Sequence, residues 1–235
     1  MIYTDICDNI KEIKENIKKH AKIVHRNPDE ILLLAVTKTF GIEDIRKAIE
    51  CGIKDIGENK VQELKDKYPS LEGKADFHFI GHLQTNKVKY IIDKVKMIHS
   101  LDSDKLAQEI DKRAGRLGKI IDCLIEINIG GEYSKFGILP ENMNKFVKEL
   151  EKYHNIRIRG LMTVAPNVGL ENVRAYFRNM NDLFKDLKNI KQGNIQADYL
   201  SMGMSGDYTV AVEEGANIVR IGTAIFGKRN YNMEG

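Results

Sequence analysis

Lys38 stands just after six apolar residues, ILLLAV at 31–36, and between two threonines, Thr37 and Thr39. A lysine placed there rests its stem against low-dielectric surroundings. Desolvation disfavours its charged form and makes the amine a usable nucleophile toward an aldehyde. The competing reading is a lysine that merely ends a strand and points into water. Near the other end of the sequence, Arg220-Ile221-Gly222-Thr223 puts a glycine and a hydroxyl after a short apolar run, where backbone N–H groups and the hydroxyl can surround a phosphate. Upstream, Ser201-Met202-Gly203-Met204-Ser205-Gly206-Asp207 supplies two more hydroxyls and two more glycines. An imine-forming lysine, a phosphate cup and an arginine beside the cup together suggest a phosphorylated aldehyde, with pyridoxal phosphate as the candidate cofactor.

Three other chemistries are weighed and set aside. Gly222-TAIF-Gly227-Lys228 matches the first part of a nucleotide phosphate loop, GxxxxGK, but Arg229 replaces the Ser or Thr that would hold magnesium. His78 and His82 have the spacing of a helical zinc pair, yet FHFIGH reads as a strand and no HExxH is present, so no metal is expected. A Ser/His/Asp hydrolase lacks its GxSxG elbow.

The elements that must position these residues follow from the apolar pattern. Ile6, Ile10, Ile13 and Ile17 line one face of an N-terminal helix that ends by Asn27 and Pro28. Eight short apolar runs then predict strands: ILLLAV, DIGE near 54–58, FHFIG at 77–81, KMIHSL at 96–101, IIDCLIEINIG at 120–130, IRIRGLMTV at 156–164, ADYLSMG at 197–203 and NIVRIG at 217–222. Between them, Met143, Phe146, Val147 and Leu150 form one helical stripe, and Val173, Phe177, Met180, Phe184 and Leu187 another. Alternating strands and helices predict parallel βαβ units, and eight of them predict a single (β/α)8 TIM barrel with an added N-terminal helix. In such a barrel function gathers at the carboxyl ends of the strands, where Lys38, Asn59, Ser201 to Ser205 and Arg220 to Thr223 all fall.

The 235 residues suit one domain, residues 1–235, and no repeat or linker interrupts it. A formal net charge of +3 gives no electrostatic reason to expect nucleic acid or a membrane as partner. With no long apolar stretch and a charged start, the expectation is a soluble cytoplasmic protein. Cys7, Cys51 and Cys123 form no CxxC pair and are expected to be reduced and buried. Lys87, Lys89, Lys94 and Lys96 read as a solvated helix face and its following turn.

The segments LLAVTK around Lys38, GENKVQE at 57–63, FHFIGHLQTNK at 77–87, INIGGEYSKFG at 127–137, GLMTV at 160–164, LSMGMSGD at 200–207 and VRIGTAIFG at 219–227 closely resemble the pyridoxal-phosphate homeostasis proteins. The likeness runs from the first strand to the last. It implies a TIM barrel similar to the N-terminal domain of alanine racemase, with pyridoxal phosphate held as a Schiff base on Lys38. By the same resemblance Arg220 faces the pyridine nitrogen, Gly222 and Thr223 bind phosphate, and Ser201 or Ser205 adds a hydroxyl. Asn59 lies near the ring, and Met202 and Gly203 line the cup.

An arginine at the ring nitrogen keeps that nitrogen unprotonated and makes the ring a poorer electron sink. Racemisation also needs acid/base groups on both faces of the cofactor. Similar racemases take one of them from an additional domain and a partner subunit, whereas here eight residues follow Gly227. Tyr208 and His82 are more simply loop or packing residues than a replacement base. The expectation is therefore a cofactor carrier without significant catalytic activity, serving vitamin B6 homeostasis and delivering the cofactor to pyridoxal-phosphate-dependent apoenzymes, as a monomer. The alternatives are a low-activity amino-acid racemase or decarboxylase, and a cofactor-free Schiff-base aldolase.

Overall fold

The structure is a computed structural model and describes residues 5–191 and 193–227. Lys228 and Arg229, which bear on the phosphate-loop comparison, lie outside the described residues. Asp5 starts the first helix, α1 (Ile6–Ile23), by accepting a hydrogen bond from the Cys7 amide at 2.7 Å. That bond satisfies one of the donors every helix start leaves free. The predicted stripe is the buried face: Ile10, Ile13 and Ile17 are covered together with Ala21, and Ile6 is half-buried.

Each of the eight apolar runs forms a strand: β1 (Leu32–Val36), β2 (Asp55–Glu58), β3 (Asp76–Phe79), β4 (Val95–Leu101), β5 (Ile121–Glu126), β6 (Ile156–Met162), β7 (Ile195–Ser201) and β8 (Ile218–Ile221). They pair in sequence order, all parallel, and β8 closes back onto β1. The expected (β/α)8 barrel is the observed one. Its outer layer is α2 (Ile42–Glu50), α3 (Val61–Leu71), α4 (Asp104–Arg116), α5 (Met143–Glu149), α6 (Leu170–Asn189), α7 (Tyr208–Glu213) and a single turn, α8 (Thr223–Phe226). The unit between β3 and β4 departs from the pattern, because Thr85–Tyr90 forms a 3-10 helix. Lys87 and Lys89 lie on it, while Lys96 belongs to β4.

Parallel strands covered on both faces read as unbroken apolar runs, and the two faces here have different fillings. The outer faces and the helices share one large apolar layer, to which α5 gives Phe146 and Val147 and α6 gives Phe177 and Met180. Inside the barrel the apolar filling is small: Leu34, Met97, Leu124, Met162 and Ile218. The rest of the interior is polar, with His78, His99, Ser201 and Arg220 buried.

Helix α1 packs against α2, α7 and α8. Beyond its end, Arg26 Nη1 donates to the carbonyls of Val212 and Ala216, at 2.7 and 2.9 Å, and clasps the end of α7. The contact with α2 overturns one expectation: Cys7 and Cys51 are not reduced but joined in a disulfide, and both are half-buried. The first turn of α1 meets the end of α2 with the two Cα atoms 5.4 Å apart, within bonding range. Cys123 matches the expectation, free and buried, and burial pushes its thiol up. Among the described residues, no helix is long and apolar enough to cross a membrane.

Alkylating the protein after unfolding without reductant is expected to label Cys123 alone. Cys7→Ser should lower stability by about 2–4 kcal/mol in urea unfolding, the usual worth of a cross-link closing a loop of this size. Three labelled thiols would remove the disulfide.

Candidate functional site

Lys38 sits two residues beyond β1, half-buried, in a turn closed by the Phe40 amide donating to the Thr37 carbonyl at 3.1 Å. The next residue, Thr39, has φ +68°. A β-branched side chain takes that left-handed conformation at a cost on the order of 1–3 kcal/mol, so surrounding contacts must impose it. They come from α3 and β2. The Thr39 amide donates to Glu63 Oε2 at 2.6 Å. Lys67 Nζ donates to the Thr37 carbonyl at 2.8 Å, to Glu58 Oε1 at 2.7 Å and to Glu63 Oε2 at 3.0 Å. The Thr37 hydroxyl donates to Glu58 Oε1 at 2.6 Å. The residues on either side of Lys38 are thereby tied to one buried ion cluster. Burial raises the Glu58 carboxyl despite the pull of Lys67 and Thr37, whereas at Glu63 the bonds from Thr39 and Lys67 outweigh burial and lower it.

Closure sets Arg220 beside Leu34 of β1, the strand that leads to Lys38. Its side chain lies in the barrel, with the residue 3% exposed. Nη1 donates to Ser201 Oγ at 2.7 Å and Nη2 to the Thr163 carbonyl at 2.7 Å. Thr163 is itself held by its hydroxyl donating to the Ile127 carbonyl at 2.7 Å. Burial lowers Arg220 to about 10, with the fields of Glu126 and Asp207 opposing, so it remains a cation at neutral pH. Both of its acceptors are neutral oxygens, and a guanidinium carries five N–H donors. Arg220 is thus a buried cation with N–H donors that neither oxygen takes.

The loops after β7 and β8 meet as expected, since Ser205 Oγ accepts from the Ala224 amide at 3.2 Å. Gly203 lets the β7 loop fold closely onto α7: φ is +91°, and a Cβ there would lie 2.5 Å from that of Ala211. Its carbonyl accepts from the Arg220 amide at 3.0 Å. Met202 is buried, Gly222 half-buried and Thr223 exposed. The two serines have separate places: Ser205 lies between the loops after β7 and β8, and Ser201 is fully buried against Arg220. Asn59 presents a buried Oδ1 with no partner. It follows β2 closely enough to Gly81 that a Cβ on Gly81 would stand 2.3 Å from the Asn59 carbonyl.

His78 and His82 do not converge. His78 is inside the barrel, while His82 stacks on Phe136 at 3.7 Å between ring centroids. Among the described residues no His/Cys/Asp/Glu group could hold a metal ion. Tyr208 is a packing residue, buried at the start of α7. Sequence reasoning missed His99, Glu126 and Lys67. Glu126 closes β5 with a carboxyl that burial, then the field of Asp102, raises to about 7 against the pull of Arg220. The signal for His99 and Glu126 was polarity within strands; Lys67 gave none, being a lysine on a surface helix. A cavity of about 390 Å³ opens beside the mouth, lined by Asn59, Phe79 and His82 together with Lys60, Lys65 and Lys87.

The sequence matches the family described as alanine racemase, N-terminal domain, over residues 9–230. It is 44% identical to the pyridoxal phosphate homeostasis protein of Aquifex aeolicus, across 96% of this chain and 99% of that one. The chain belongs to the pyridoxal phosphate homeostasis family. The Escherichia coli member is 37% identical over 98% of this chain and 99% of its own. Among solved structures, PipY of Synechococcus elongatus with pyridoxal phosphate bound superposes with a TM-score of 0.78 at 30% identity, covering 90% of this chain and all of PipY. A Bifidobacterium adolescentis protein of unknown function superposes at 0.87 with 33% identity, over 94% of both chains. The alanine racemase of Corynebacterium glutamicum shares the fold, with a TM-score of 0.70 at 13% identity, and 63% of its length is matched.

Substitutions at Lys67, Glu58 and Glu126 test the geometry around Lys38 and Arg220. Lys67→Met strands the buried Glu58 carboxyl and should cost about 3–5 kcal/mol in urea unfolding, part of it recovered in the double variant with Glu58→Gln. A loss below about 1 kcal/mol would mean that Lys67 does not hold the turn. Glu126 binds its proton more tightly folded than unfolded, so its ionisation costs stability as pH rises from its ordinary value through about 7. Relative to the native protein, Glu126→Gln should therefore gain on the order of 3 kcal/mol between pH 4.5 and 7. A pH-independent difference would place Glu126 in water.

Proposed function

We propose that this protein binds pyridoxal 5'-phosphate as a Schiff base on Lys38 and serves intracellular pyridoxal-phosphate homeostasis, passing the cofactor to apoenzymes. The observation that carries the reading is Arg220, a buried cation with neutral acceptors and unused donors, beside β1 whose extension bears Lys38. Such a group fits an aromatic nitrogen acceptor. The family membership and the PipY structure support the same cofactor.

When bound, pyridoxal phosphate supplies an aldehyde for a lysine amine and a ring that can accept electrons. Lys38 is the amine, with its flanking backbone held by the Lys67, Glu58 and Glu63 cluster. Arg220 donates toward the ring nitrogen and, as a permanent cation, disfavours protonation there. Gly222 and Thr223 offer an amide and a hydroxyl to the phosphate, and Ser205 adds its hydroxyl from the neighbouring loop. Asn59, with its unpartnered Oδ1, would lie near the ring, and Met202 and Gly203 would line the cup. Ser201 acts through Arg220 and has no part in the phosphate cup. Because Arg220 leaves the ring nitrogen unprotonated, the site binds its cofactor fully and activates it weakly, which suits a carrier.

Purified protein mixed with pyridoxal phosphate is expected to turn yellow, and borohydride followed by peptide mass analysis should leave one pyridoxyl group on Lys38. A colourless protein without that adduct would end the reading. For delivery, loaded protein mixed with a pyridoxal-phosphate-dependent apoenzyme and a trap for free aldehyde should activate faster than spontaneous release allows. Activation limited by the release rate would leave binding without delivery.

A further inference from the structure

A continuous hydrogen-bonded chain crosses the barrel interior beneath Arg220. Arg220 Nη1 donates to Ser201 Oγ at 2.7 Å, and Ser201 Oγ lies 3.3 Å from His99 Nδ1. His99 Nε2 is 2.9 Å from His78 Nδ1, and His78 Nε2 is 3.0 Å from Asp55 Oδ1. Asp55 also accepts from Lys96 Nζ at 2.9 Å, and Lys96 is paired with the exposed Asp76 at 2.7 Å. The chain joins the opening residue of β2, at the amino end of the barrel, to the closing residue of β7 at its carboxyl end. Ser201, His78 and His99 are at most 1% exposed.

The donors and acceptors allow this chain one direction while Asp55 is ionised and both imidazoles are neutral. A guanidinium only donates, so Ser201 accepts from Arg220 and passes its own hydrogen to His99 Nδ1. His99 must then carry its hydrogen on Nε2 and give it to His78 Nδ1. His78 carries its hydrogen on Nε2 and gives it to Asp55. The bonds from His78 and Lys96 outweigh burial and keep the Asp55 carboxyl below its ordinary value, and burial holds His99 well below the usual imidazole range. One added proton on His78 reverses the sequence. His78 Nδ1 would donate to His99, His99 Nδ1 would donate to Ser201, and the Ser201 hydrogen would lose its acceptor beside Arg220. Among the described residues, the charges placed against the chain include Lys96 and Asp76 at its lower end, and Glu126 and Asp207 around Arg220.

We propose that Asp55, His78, His99 and Ser201 are positioning residues forming a one-directional relay, which orients Arg220 and makes its hydrogen bond to the cofactor's ring nitrogen respond to protonation at the opposite end of the barrel. The proposal rests on the reading that Arg220 faces that nitrogen, and its first test does not depend on it. In the full chain without cofactor, labelled with 15N-histidine, NMR at neutral pH should show His78 and His99 each as one neutral tautomer with the hydrogen on Nε2. A hydrogen on Nδ1 of either ring, or an average of tautomers, would overturn the relay.

The second test adds pyridoxal phosphate and follows its visible absorption against pH. Asp55→Asn, remote from the mouth, should move the midpoint by about 0.5 pH unit or more. Asp76→Asn removes a carboxylate from the same Lys96 without touching His78, and should leave the midpoint in place. Equal midpoints in Asp55→Asn and the native protein, or equal shifts in the two variants, would also overturn the proposal. Absence of any visible band in the native protein would instead fail the cofactor reading, with the tautomers still deciding the direction of the chain. Should Asp55→Asn not fold, the native tautomer measurement stands alone as the test.

Discussion

The hydrogen bonds between β1 and β8 are the constraint on which everything else hangs. They are the last pairing the chain can make, and they join its two ends: Leu32 to Ala35 align with Ile218 to Ile221. An open sheet of the same strands would leave Lys38 at one edge and Arg220 at the other. Closure removes both edges and sets the amine and the guanidinium on neighbouring strands. It also explains the place of α1, which lies against α2, α7 and α8, elements adjacent only because the barrel is shut. The disulfide between Cys7 and Cys51 ties that helix to the first βα unit.

Around this frame the charged groups follow one economy. A buried ion costs several kcal/mol unless hydrogen bonds and opposite charge surround it. Glu58 meets that demand with Lys67 and the Thr37 hydroxyl, and the same contacts hold a threonine in a backbone conformation it would not choose. Arg220 meets it only in part, through a hydroxyl and a carbonyl. The two clusters therefore differ in kind. The first is satisfied within the protein and stiffens the turn that bears Lys38; the second keeps donors in reserve, which the proposed cofactor would engage.

The barrel interior has a similar division. Leu34, Met97, Leu124, Met162 and Ile218 fill part of it, as side chains fill most barrels of this kind. The remainder is a column of polar side chains from Asp55 up to Arg220. Apolar filling would have been simpler and would have left Arg220 without Ser201. The column accounts for two histidines that have no place in a metal site, and it includes Ser201, one of the two serines between which the sequence left the phosphate hydroxyl open.

Strand positions were legible because burial on both faces leaves a local mark, an unbroken apolar run, and a polar residue at its end stands out. Lys38, Asn59, Ser201 to Ser205 and Arg220 to Thr223 were singled out that way, each as a break in a pattern a few residues long. The resemblance to a known family added what each break is expected to do. What the sequence could not disclose was partnership. His78 with His99, Lys67 with the Thr37 carbonyl, and Cys7 with Cys51 are pairs whose members sit in different elements, and nothing in the neighbourhood of either residue announces the other. Hydrophobic periodicity reports whether a position faces the core, which is a property of one strand or helix. Which polar groups meet inside that core depends on register across several strands at once, and only the closed barrel sets it.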